Sequence, residues 1–490
     1  MANKEGQIRN VLIYILPYIA SGLLPIITLP IFTRVLTVED YGVYALASIY
    51  AILLSGIVNF GLTLSYERDF FQYKDKSKSS ELLYSILAFI LVVFLIAVIV
   101  TYVFKKPIAR VFIGSADYSN LLFWVFFSTV IMSFKQYFLI YFKNTERAKD
   151  FVVYTLDETF ISVIFSLFFV VYLKSGIIGL AWGQGLASII ILIFLGIKFL
   201  KTMPVCFGWE PLRDSLKISL PLTPRIFIGV ISTQLNKYIL NLLNTVGGVG
   251  IFSIAQRIAN GTFIFMTAIQ NVFNPHVYNK MFSSESTAGK EIGEYLTPFA
   301  YFSVFVCLLV SLFSEEAVRL LTGPSFYMAA PVVNILCMYY GFLFFSKINS
   351  LQIMYKKKTI VTSIVTIANI GLGIAISIPF IKRFGVIGAA WATFLGSIVT
   401  GYLSFFISQR YFYIKWETKK IAAIYGVFCA SSILILCTMN GPTHILRYIL
   451  KMLCVFVYIF LGMKVHILTR QNLKLLWDAA NLKNRNLCKD

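Results

Sequence analysis

The chain has 490 residues, of which 58% are hydrophobic and 13% are charged, and its mean hydropathy is +0.79. Soluble domains carry about 25% charged residues, so a chain this apolar cannot cover its own surface in water. The net charge of +21 would suit nucleic-acid binding in a soluble protein. Here the Lys and Arg residues lie in short segments between long apolar runs, so we expect a lipid-embedded chain with no nucleic-acid partner.

Apolar runs of about twenty residues, the length that spans a bilayer, recur along the whole chain. We therefore predict an all-α polytopic membrane protein with about fourteen transmembrane helices. The predicted spans are 11–33, 41–65, 83–104, 120–142, 151–173, 177–199, 218–243, 250–274, 295–314, 329–350, 360–381, 386–408, 420–440 and 443–463. The first run is longer than a signal-peptide core and contains three prolines, so we expect it to be retained as a span.

The distribution of basic residues predicts the orientation of the chain. If the N-terminus is inside, most of the 43 Lys and Arg residues fall in cytoplasmic segments, including the clusters Lys74–Lys78 and Lys356–Lys358. Cytoplasmic loops carry this excess in most membrane proteins. We expect a multi-pass membrane protein with both termini in the cytoplasm, and no loop is long enough for an extramembrane catalytic domain.

Two sequence matches indicate an internal repeat. Thr37-Val38 and Gly42–Ala47 recur as Thr245-Val246 and Gly250–Ala255, and Gly176–Trp182 recurs as Gly385–Trp391. The offsets are 208 and 209 residues, which covers six spans, so both copies have the same orientation. Parallel repeats of this kind are typical of transporters with a central cavity and alternating access. We predict two parallel six-helix repeats around a central cavity, plus two additional C-terminal helices.

The spans and the repeat together predict the domain organisation. We expect a cytoplasmic N-terminus at 1–10, a first six-helix repeat at 11–199, a cytoplasmic linker at 200–217, a second six-helix repeat at 218–408, two additional helices at 409–463 and a basic cytoplasmic C-terminus at 464–490.

Prolines interrupt the first helix of each repeat. Pro17 lies near the start of the first repeat, and Pro221 and Pro224 lie at a similar place in the second. Proline removes a backbone hydrogen bond and bends a helix, and interruptions at matching places point to a substrate site or a gate. Proline is also common in membrane helices without such a role.

Charged residues at the ends of the first two spans are further gate candidates. These residues are Arg34, Glu67 and Arg68. They either close the cavity or lie among lipid headgroups, and the sequence leaves both alternatives open.

Three ionisable residues lie inside adjoining spans 4 and 5. A charge in lipid costs at least about 2.5 kcal/mol, so it needs a partner or a wet cavity. Lys135 in span 4 is expected to form a buried ion pair with Asp157 or Glu158 in span 5. The pair is either structural or part of the cavity lining. The remaining carboxylate is a possible site for a coupling ion, because burial favours its protonated form.

Three cations in the second repeat have no acidic residue in their own or the adjoining span. Arg225 directly follows Pro224 in span 7, Lys237 lies near the other end of that span, and Arg257 lies in span 8. Such cations predict an anionic ligand, and the planar guanidinium suits phosphate. The alternative for Lys237 and Arg257 is that they extend to the outer interface.

The sequence predicts no metal site and no other cofactor. The three histidines make no HExxH spacing, no GxxxxGK[ST] loop is present, and the seven cysteines form no CxxC pair.

Four segments stand out when taken in chain order: Leu29–Leu36, Asp40–Tyr44, Leu220–Pro224 and Val249–Ala255, together with the glycine-rich turns before spans 6 and 12. In these segments the chain resembles bacterial polysaccharide (O-antigen repeat-unit) flippases of the multidrug/oligosaccharidyl-lipid/polysaccharide exporter superfamily. The resemblance runs over nearly the whole chain. One departure is visible, because family members often carry an acidic-basic pair late in span 7, where this chain has Asn236-Lys237.

The resemblance implies a flippase and not an enzyme. Its substrate would be an oligosaccharide linked to undecaprenyl diphosphate. It would be moved from the inner to the outer leaflet of a bacterial cytoplasmic (inner) membrane, for the biosynthesis of O-antigen (lipopolysaccharide biosynthesis), capsule or a similar surface glycan. The implied partners are membrane lipids, the polysaccharide polymerase and the chain-length machinery. In this picture Arg225, Lys237 and Arg257 contact the diphosphate. Alternatives are a multidrug or cation exporter of the same superfamily, a lipid II flippase, or a membrane enzyme acting on the same sugars.

Overall fold

The computed structural model describes residues 22, 24–71, 76–283, 287–356, 359–439, 444–469 and 472. Every regular element in these residues is helical. Helices satisfy all backbone hydrogen bonds within one segment, which a lipid solvent requires. Twelve helices of the described residues are long and apolar enough to cross a membrane. The chain is therefore an all-α, multi-pass membrane protein, as the sequence predicts.

The chain forms two compact units, Met1–Ser253 and Ile254–Asp490. The first unit contains the described helices α1 to α10 and the start of α11. Their bounds are α1 Leu29–Val35, α2 Val38–Val58, α3 Leu62–Asp69, α4 Lys76–Val103, α5 Lys105–Phe112, α6 Ser119–Asn144, α7 Ala148–Leu167, α8 Ile178–Thr202, α9 Trp209–Ser219 and α10 Thr223–Leu243. A π-helical turn, Phe168–Tyr172, extends α7, and a 3-10 turn, Leu220–Leu222, joins α9 to α10.

The second unit is built from the rest of α11 and from α12 to α17. Their bounds are α11 Val246–Phe282, α12 Ala288–Leu312, α13 Ser314–Leu321, α14 Ala329–Tyr355, α15 Thr359–Gln409, α16 Thr418–Thr438 and α17 His444–Lys464. Its core is rich in aromatic side chains, such as Phe273, Phe299 and Phe344. The predicted division into repeats, linker and tails stays a prediction.

The twelve long apolar helices of the described residues correspond to thirteen of the fourteen predicted spans, because one of them covers two. Helix α15 has 51 residues, and at about 1.5 Å per residue it is too long for a hydrocarbon core of about 30 Å. Its backbone leaves the helical region at Gly385, where φ is 55°. The predicted spans 360–381 and 386–408 lie on either side of this kink. Most of the predicted first span, 11–33, lies outside the described residues.

The repeated glycine turns have the same backbone conformation. Gly176 precedes α8 with φ 63°, and Gly385 has φ 55° at the matching position of the second copy. Only glycine adopts this left-handed conformation without a steric cost. The two predicted repeats match in a second feature, which is barely visible in sequence. An eight-residue helix, α5 or α13, follows the third span of each repeat.

The start of α2 is fixed by a capping box. The Thr37 hydroxyl accepts a hydrogen bond from the Asp40 backbone N–H at 3.1 Å, and the Asp40 carboxylate accepts one from the Thr37 N–H at 2.9 Å. This arrangement satisfies two backbone donors that a helix N-terminus otherwise leaves open. It places the repeated residues Val38 and Gly42 in the first turns of α2.

The two copies of the repeated segment contact each other reciprocally within the first unit. A Cβ on Gly42 of α2 would overlap the carbonyl oxygen of Val246, and a Cβ on Gly250 of α11 would overlap that of Val38. Val38 and Val246 are themselves equivalent in the repeat, as are Gly42 and Gly250. The contact therefore has local two-fold symmetry, and small residues let the helix backbones touch, as in other membrane helix pairs.

Paired tyrosines attach α17, the last helix with described bounds, to α12 of the second unit. The Tyr301 hydroxyl of α12 donates to the Tyr458 carbonyl of α17 at 3.1 Å, and the Tyr458 hydroxyl donates to the Tyr301 carbonyl at 2.9 Å. Their rings stack with centroids 4.7 Å apart. Each phenol thus satisfies its polar group while burying its ring.

Two ion pairs join α17 to the short helix α13. Lys451, which is 1% exposed, contacts Glu316 at 2.5 Å, and Arg447 contacts Glu315 at 2.9 Å. Sequence proximity does not reveal the partner of Lys451, because Glu316 lies 135 residues away. The pairs let the additional helices carry charge into an apolar layer.

Replacement of Gly42 by alanine is expected to destabilise the protein. The added methyl group would force α2 away from Val246, and overpacking of this kind costs about 1–3 kcal/mol. Gly56→Ala on the same helix is the matched control, because a Cβ there meets nothing within 4 Å. Thermal unfolding of the purified protein in detergent measures both. Equal stability of the two variants would contradict the close contact.

Candidate functional site

A polar cavity of about 350 Å³ lies within the first unit, between α6, α7 and α8. It is lined by Met132, Lys135, Gln136, Leu139, Phe151, Thr155, Glu158, Thr159, Ser162, Gln184 and Ser188. Polar side chains at this density are costly in membrane-spanning helices and usually mark a wet or functional site. The cavity includes two of the three ionisable residues that the sequence singles out in spans 4 and 5.

Glycines of α8 allow the three helices to approach closely beside the cavity. A Cβ on Gly183 would overlap Ser166 of α7, and a Cβ on Gly185 would meet the Ser128 hydroxyl of α6 at 2.6 Å. Ser128 itself donates to the Ala181 carbonyl of α8 at 2.8 Å. Small residues at these positions bring the polar faces of α6, α7 and α8 together around one space.

The centre of the cavity wall is an ion pair between Lys135 and Glu158. The Lys135 ammonium contacts one carboxylate oxygen of Glu158. The other oxygen accepts a hydrogen bond from the Ser188 hydroxyl at 2.7 Å. Lys135 is 1% exposed, so its charge depends on this partner. The three residues connect α6, α7 and α8 through charge-assisted bonds, which are stronger than neutral ones.

Asp157, the other carboxylate predicted near Lys135, lies on a different face of α7. Its side chain is exposed and makes no ion pair within the described residues. It lies in a stripe of exposed apolar residues that includes Val153, Phe160 and Ile164. Consecutive helical residues point about 100° apart, so only one of Asp157 and Glu158 can face the cavity.

A second polar link crosses the same wall. The Tyr44 hydroxyl of α2 donates to the side-chain oxygen of Gln184 at 2.7 Å. Gln136 and Ser162 also line the cavity, and neither side chain makes a hydrogen bond within the described residues. Their polar groups are therefore available to a ligand or to water.

The three cations predicted to bind an anion lie on α10 and α11. Arg225 is in the first turn of α10, directly after Pro224, and its side chain is outside the described part of the structure. Lys237 is half-buried further along α10. Arg257 is half-buried on α11 and makes no hydrogen bond or ion pair with the described residues.

The charged residues predicted to form a gate do not form one cluster in the described residues. Arg34 is exposed at the end of α1. Glu67 of α3 pairs with Lys143 of α6 at 2.5 Å, and the neighbouring Arg68 contacts Asp69 at 3.6 Å.

The prolines predicted to interrupt helices lie in different structural environments. Pro221 lies in the 3-10 turn that joins α9 to α10, and Pro224 is exposed in the first turn of α10. Pro17 lies outside the described residues.

Sequence reasoning missed the uncharged residues of the cavity. Thr155, Thr159 and Ser162 are spaced by four and three residues, and Gln184 and Ser188 by four. These are the spacings of one helical face, so a search for polar periodicity inside apolar runs would have found them. The hydrogen bond of Tyr44 to Gln184 leaves no such signal in the sequence, because it depends on how α2 packs against α8.

The chain belongs to the family of polysaccharide biosynthesis proteins. The family model with that description matches residues 8–279. No match is found among curated proteins by sequence.

Solved structures of transporters share the fold. The structure titled lipid II flippase MurJ, inward closed conformation, has a TM-score of 0.72 and 16% identity, over 93% of this chain and 100% of that one. An inward-facing multidrug resistance MATE family transporter of the MOP superfamily has a TM-score of 0.63 and 16% identity, over 84% and 96%. The Vibrio cholerae MATE transporter VcmN in the bent form gives 0.53 and 14%, over 84% and 97%. At these identities the likeness concerns the fold.

Removal of one partner of the buried ion pair is expected to destabilise the protein strongly. Lys135→Met leaves the Glu158 carboxylate without its cation, and breaking a buried pair costs about 3–5 kcal/mol. The double variant Lys135→Met/Glu158→Leu removes both charges and is expected to recover most of this loss. Free energies of unfolding from a mixed-detergent titration measure the effect.

The exposed pair of Glu67 and Lys143 serves as the control. Both side chains are well exposed, so Lys143→Met is expected to cost about 0–1 kcal/mol. If Lys135→Met and Lys143→Met cost the same, or if the double variant is no better than Lys135→Met, the ion pair does not have the predicted role.

Proposed function

We propose that this protein is a flippase for lipid-linked oligosaccharides. It moves repeat units carried on undecaprenyl diphosphate from the inner to the outer leaflet of the cytoplasmic membrane, for the biosynthesis of a surface polysaccharide such as O-antigen or capsule. The observation that carries the proposal is the match of residues 8–279 to the polysaccharide biosynthesis protein family. The fold, shared with lipid II flippase MurJ and MATE transporters, supports transport over enzymatic catalysis.

The mechanism we propose is alternating access between two parallel repeats. The reciprocal contact of Gly42 and Gly250 and the matching turns at Gly176 and Gly385 support the repeat. Transporters built from such repeats expose a central site first to one side of the membrane and then to the other. In this scheme both termini are cytoplasmic, and the polymerase and chain-length proteins take up the product outside.

The cations of α10 and α11 are proposed to hold the diphosphate. Arg225 follows a helix break, and the chain there passes from a 3-10 turn into α10. Arg257 has no acidic partner within the described residues. A guanidinium can donate two parallel hydrogen bonds to phosphate oxygens. Lys237 is proposed as the third contact.

Gating and coupling are assigned to other residues. We propose that Arg34, Glu67 and Arg68, with the interruptions at Pro17, Pro221 and Pro224, take part in opening and closing. Asp157 is the carboxylate proposed for coupling to an ion, because Glu158 already neutralises Lys135. Its side chain is exposed outside the cavity, so the burial expected from the sequence does not support this role. Full transport by Asp157→Asn, with unchanged sensitivity to ionophores, would rule out coupling at Asp157.

Lipid II transport is the second candidate. The TM-score of 0.72 to lipid II flippase MurJ favours it, although the identity is only 16%. The two functions share a lipid diphosphate and differ in the sugar, so the test must identify the accumulated lipid. Drug export is less well supported, since predicted span 7 contains no Asp or Glu to bind a cation.

Deletion of the gene and restoration with Arg225→Ala tests this proposal. We expect deletion to abolish the surface glycan and to cause undecaprenyl-linked repeat units to accumulate on the cytoplasmic side. Wild type restores export, and Arg225→Ala is expected to lower it at least about tenfold, because hydrogen bonds to a charged group are worth about 1.5–3 kcal/mol. Glycan staining and mass spectrometry of extracted lipids give both quantities.

Arg213→Ala is the matched control, because Arg213 is exposed on α9 within the predicted cytoplasmic linker. It is expected to restore export fully. Accumulation of lipid II would instead favour the second candidate. Unchanged surface glycan with new drug sensitivity would contradict both.

A further inference from the structure

The cavity of the first unit has no free charge to offer a ligand. Lys135 and Glu158 neutralise each other, Ser188 bonds the second carboxylate oxygen, and the other lining residues are uncharged. An anion entering this space would approach the Glu158 carboxylate as closely as the Lys135 ammonium. Burial of a charge without its own partner is strongly unfavourable. The cavity therefore suits an uncharged polar group and disfavours a phosphate.

The hydrogen-bonding groups of the wall match a polyol. Gln136 offers a carboxamide and Ser162 a hydroxyl, and neither is used within the described residues. The Thr155 and Thr159 hydroxyls donate to carbonyls of their own helix, at 2.7 and 2.8 Å, so their oxygens still accept. A sugar hydroxyl both donates and accepts, as does this set of groups. The apolar side chains of Phe151 and Leu139 complete the wall and can cover the carbon face of a sugar ring.

The size of the cavity restricts what it can hold. Its volume of about 350 Å³ lies at the lower end of the roughly 300–1,000 Å³ of ligand sites. It can take one or two sugar residues and not a complete repeat unit with its lipid.

We propose that this cavity is a sugar subsite, which binds an uncharged sugar of the lipid-linked oligosaccharide apart from its diphosphate. The inference rests on the proposed function for its biological meaning. Two parts of the protein would then recognise the two parts of the substrate. The hydrogen-bonding wall of α6, α7 and α8 selects the sugar, and the diphosphate is bound by cations that belong to other helices.

The binding test uses the full-length protein in detergent and four probes: the methyl glycosides of glucose, galactose, N-acetylglucosamine and rhamnose. Saturation-transfer NMR is expected to detect binding of at least one glycoside to wild type. Gln136→Leu and Ser162→Ala are each expected to weaken that binding about fivefold, the effect of one lost hydrogen bond. Ser133→Ala, the same type of change on α6 outside the lining, is expected to leave it unchanged.

Inorganic diphosphate is the probe for the alternative that the cavity binds the anionic part of the substrate. Its binding is expected to be insensitive to Gln136→Leu and Ser162→Ala. The proposal is overturned if no glycoside binds wild type, if both variants bind like wild type, or if diphosphate binding depends on the cavity residues. Thermal unfolding of each variant excludes a loss of binding through misfolding.

An export assay in cells separates this inference from the proposed function. If wild type restores export and Gln136→Leu/Ser162→Ala does not, the sugar subsite is supported. If the double variant exports normally, the subsite is wrong and the flippase proposal stands. If wild type exports no lipid-linked repeat units, the proposed function fails, whether or not the cavity binds glycosides.

Discussion

Charged and polar groups in membrane-spanning helices are costly unless protein or enclosed water satisfies them, and this constraint shapes the structure. Lys135, Glu158 and Ser188 bind one another and so decide which faces of α6, α7 and α8 meet. In the second unit, Asn334 donates to the carbonyls of Ser311 and Ser432 and connects α12, α14 and α16 in the same way. Gln136 and Ser162 line the cavity beside this ion pair without a hydrogen bond to the described residues, so the cavity offers polar groups to a ligand.

Glycine supplies the second requirement, which is close approach of the helix backbones. Lipid tails are as apolar as leucine, so membrane helices associate through packing and not through burial of apolar surface. The contact of Gly42 with Val246 is repeated as the contact of Gly250 with Val38, so one solution serves both copies of the repeat.

The sequence predicts the architecture well, because spans are visible in single segments and a repeat is visible when two segments are compared. Apolar length locates the helices, and two segment matches at offsets of 208 and 209 residues indicate the repeat. Contacts between distant segments are not predictable in this way. Lys135 had two neighbouring candidates for a partner, and only the rotation of α7 selects Glu158. Lys451 pairs with a residue 135 positions away, and Tyr44 reaches Gln184 across 140. The short helices α5 and α13 were also missed, because eight amphipathic residues resemble an ordinary loop.

The central claim is that the wall of α6, α7 and α8 encloses a hydrated site and not a dry helix contact. Thiol labelling tests it most directly, because maleimide reacts with the thiolate, which forms in water and not in lipid. With the seven native cysteines replaced, Ser162→Cys is compared with Leu95→Cys, which lies on an exposed apolar face of α4. In membrane vesicles open to a membrane-impermeant maleimide on both sides, we predict that Ser162→Cys is labelled and Leu95→Cys is not. Equal protection of the two thiols would contradict the account.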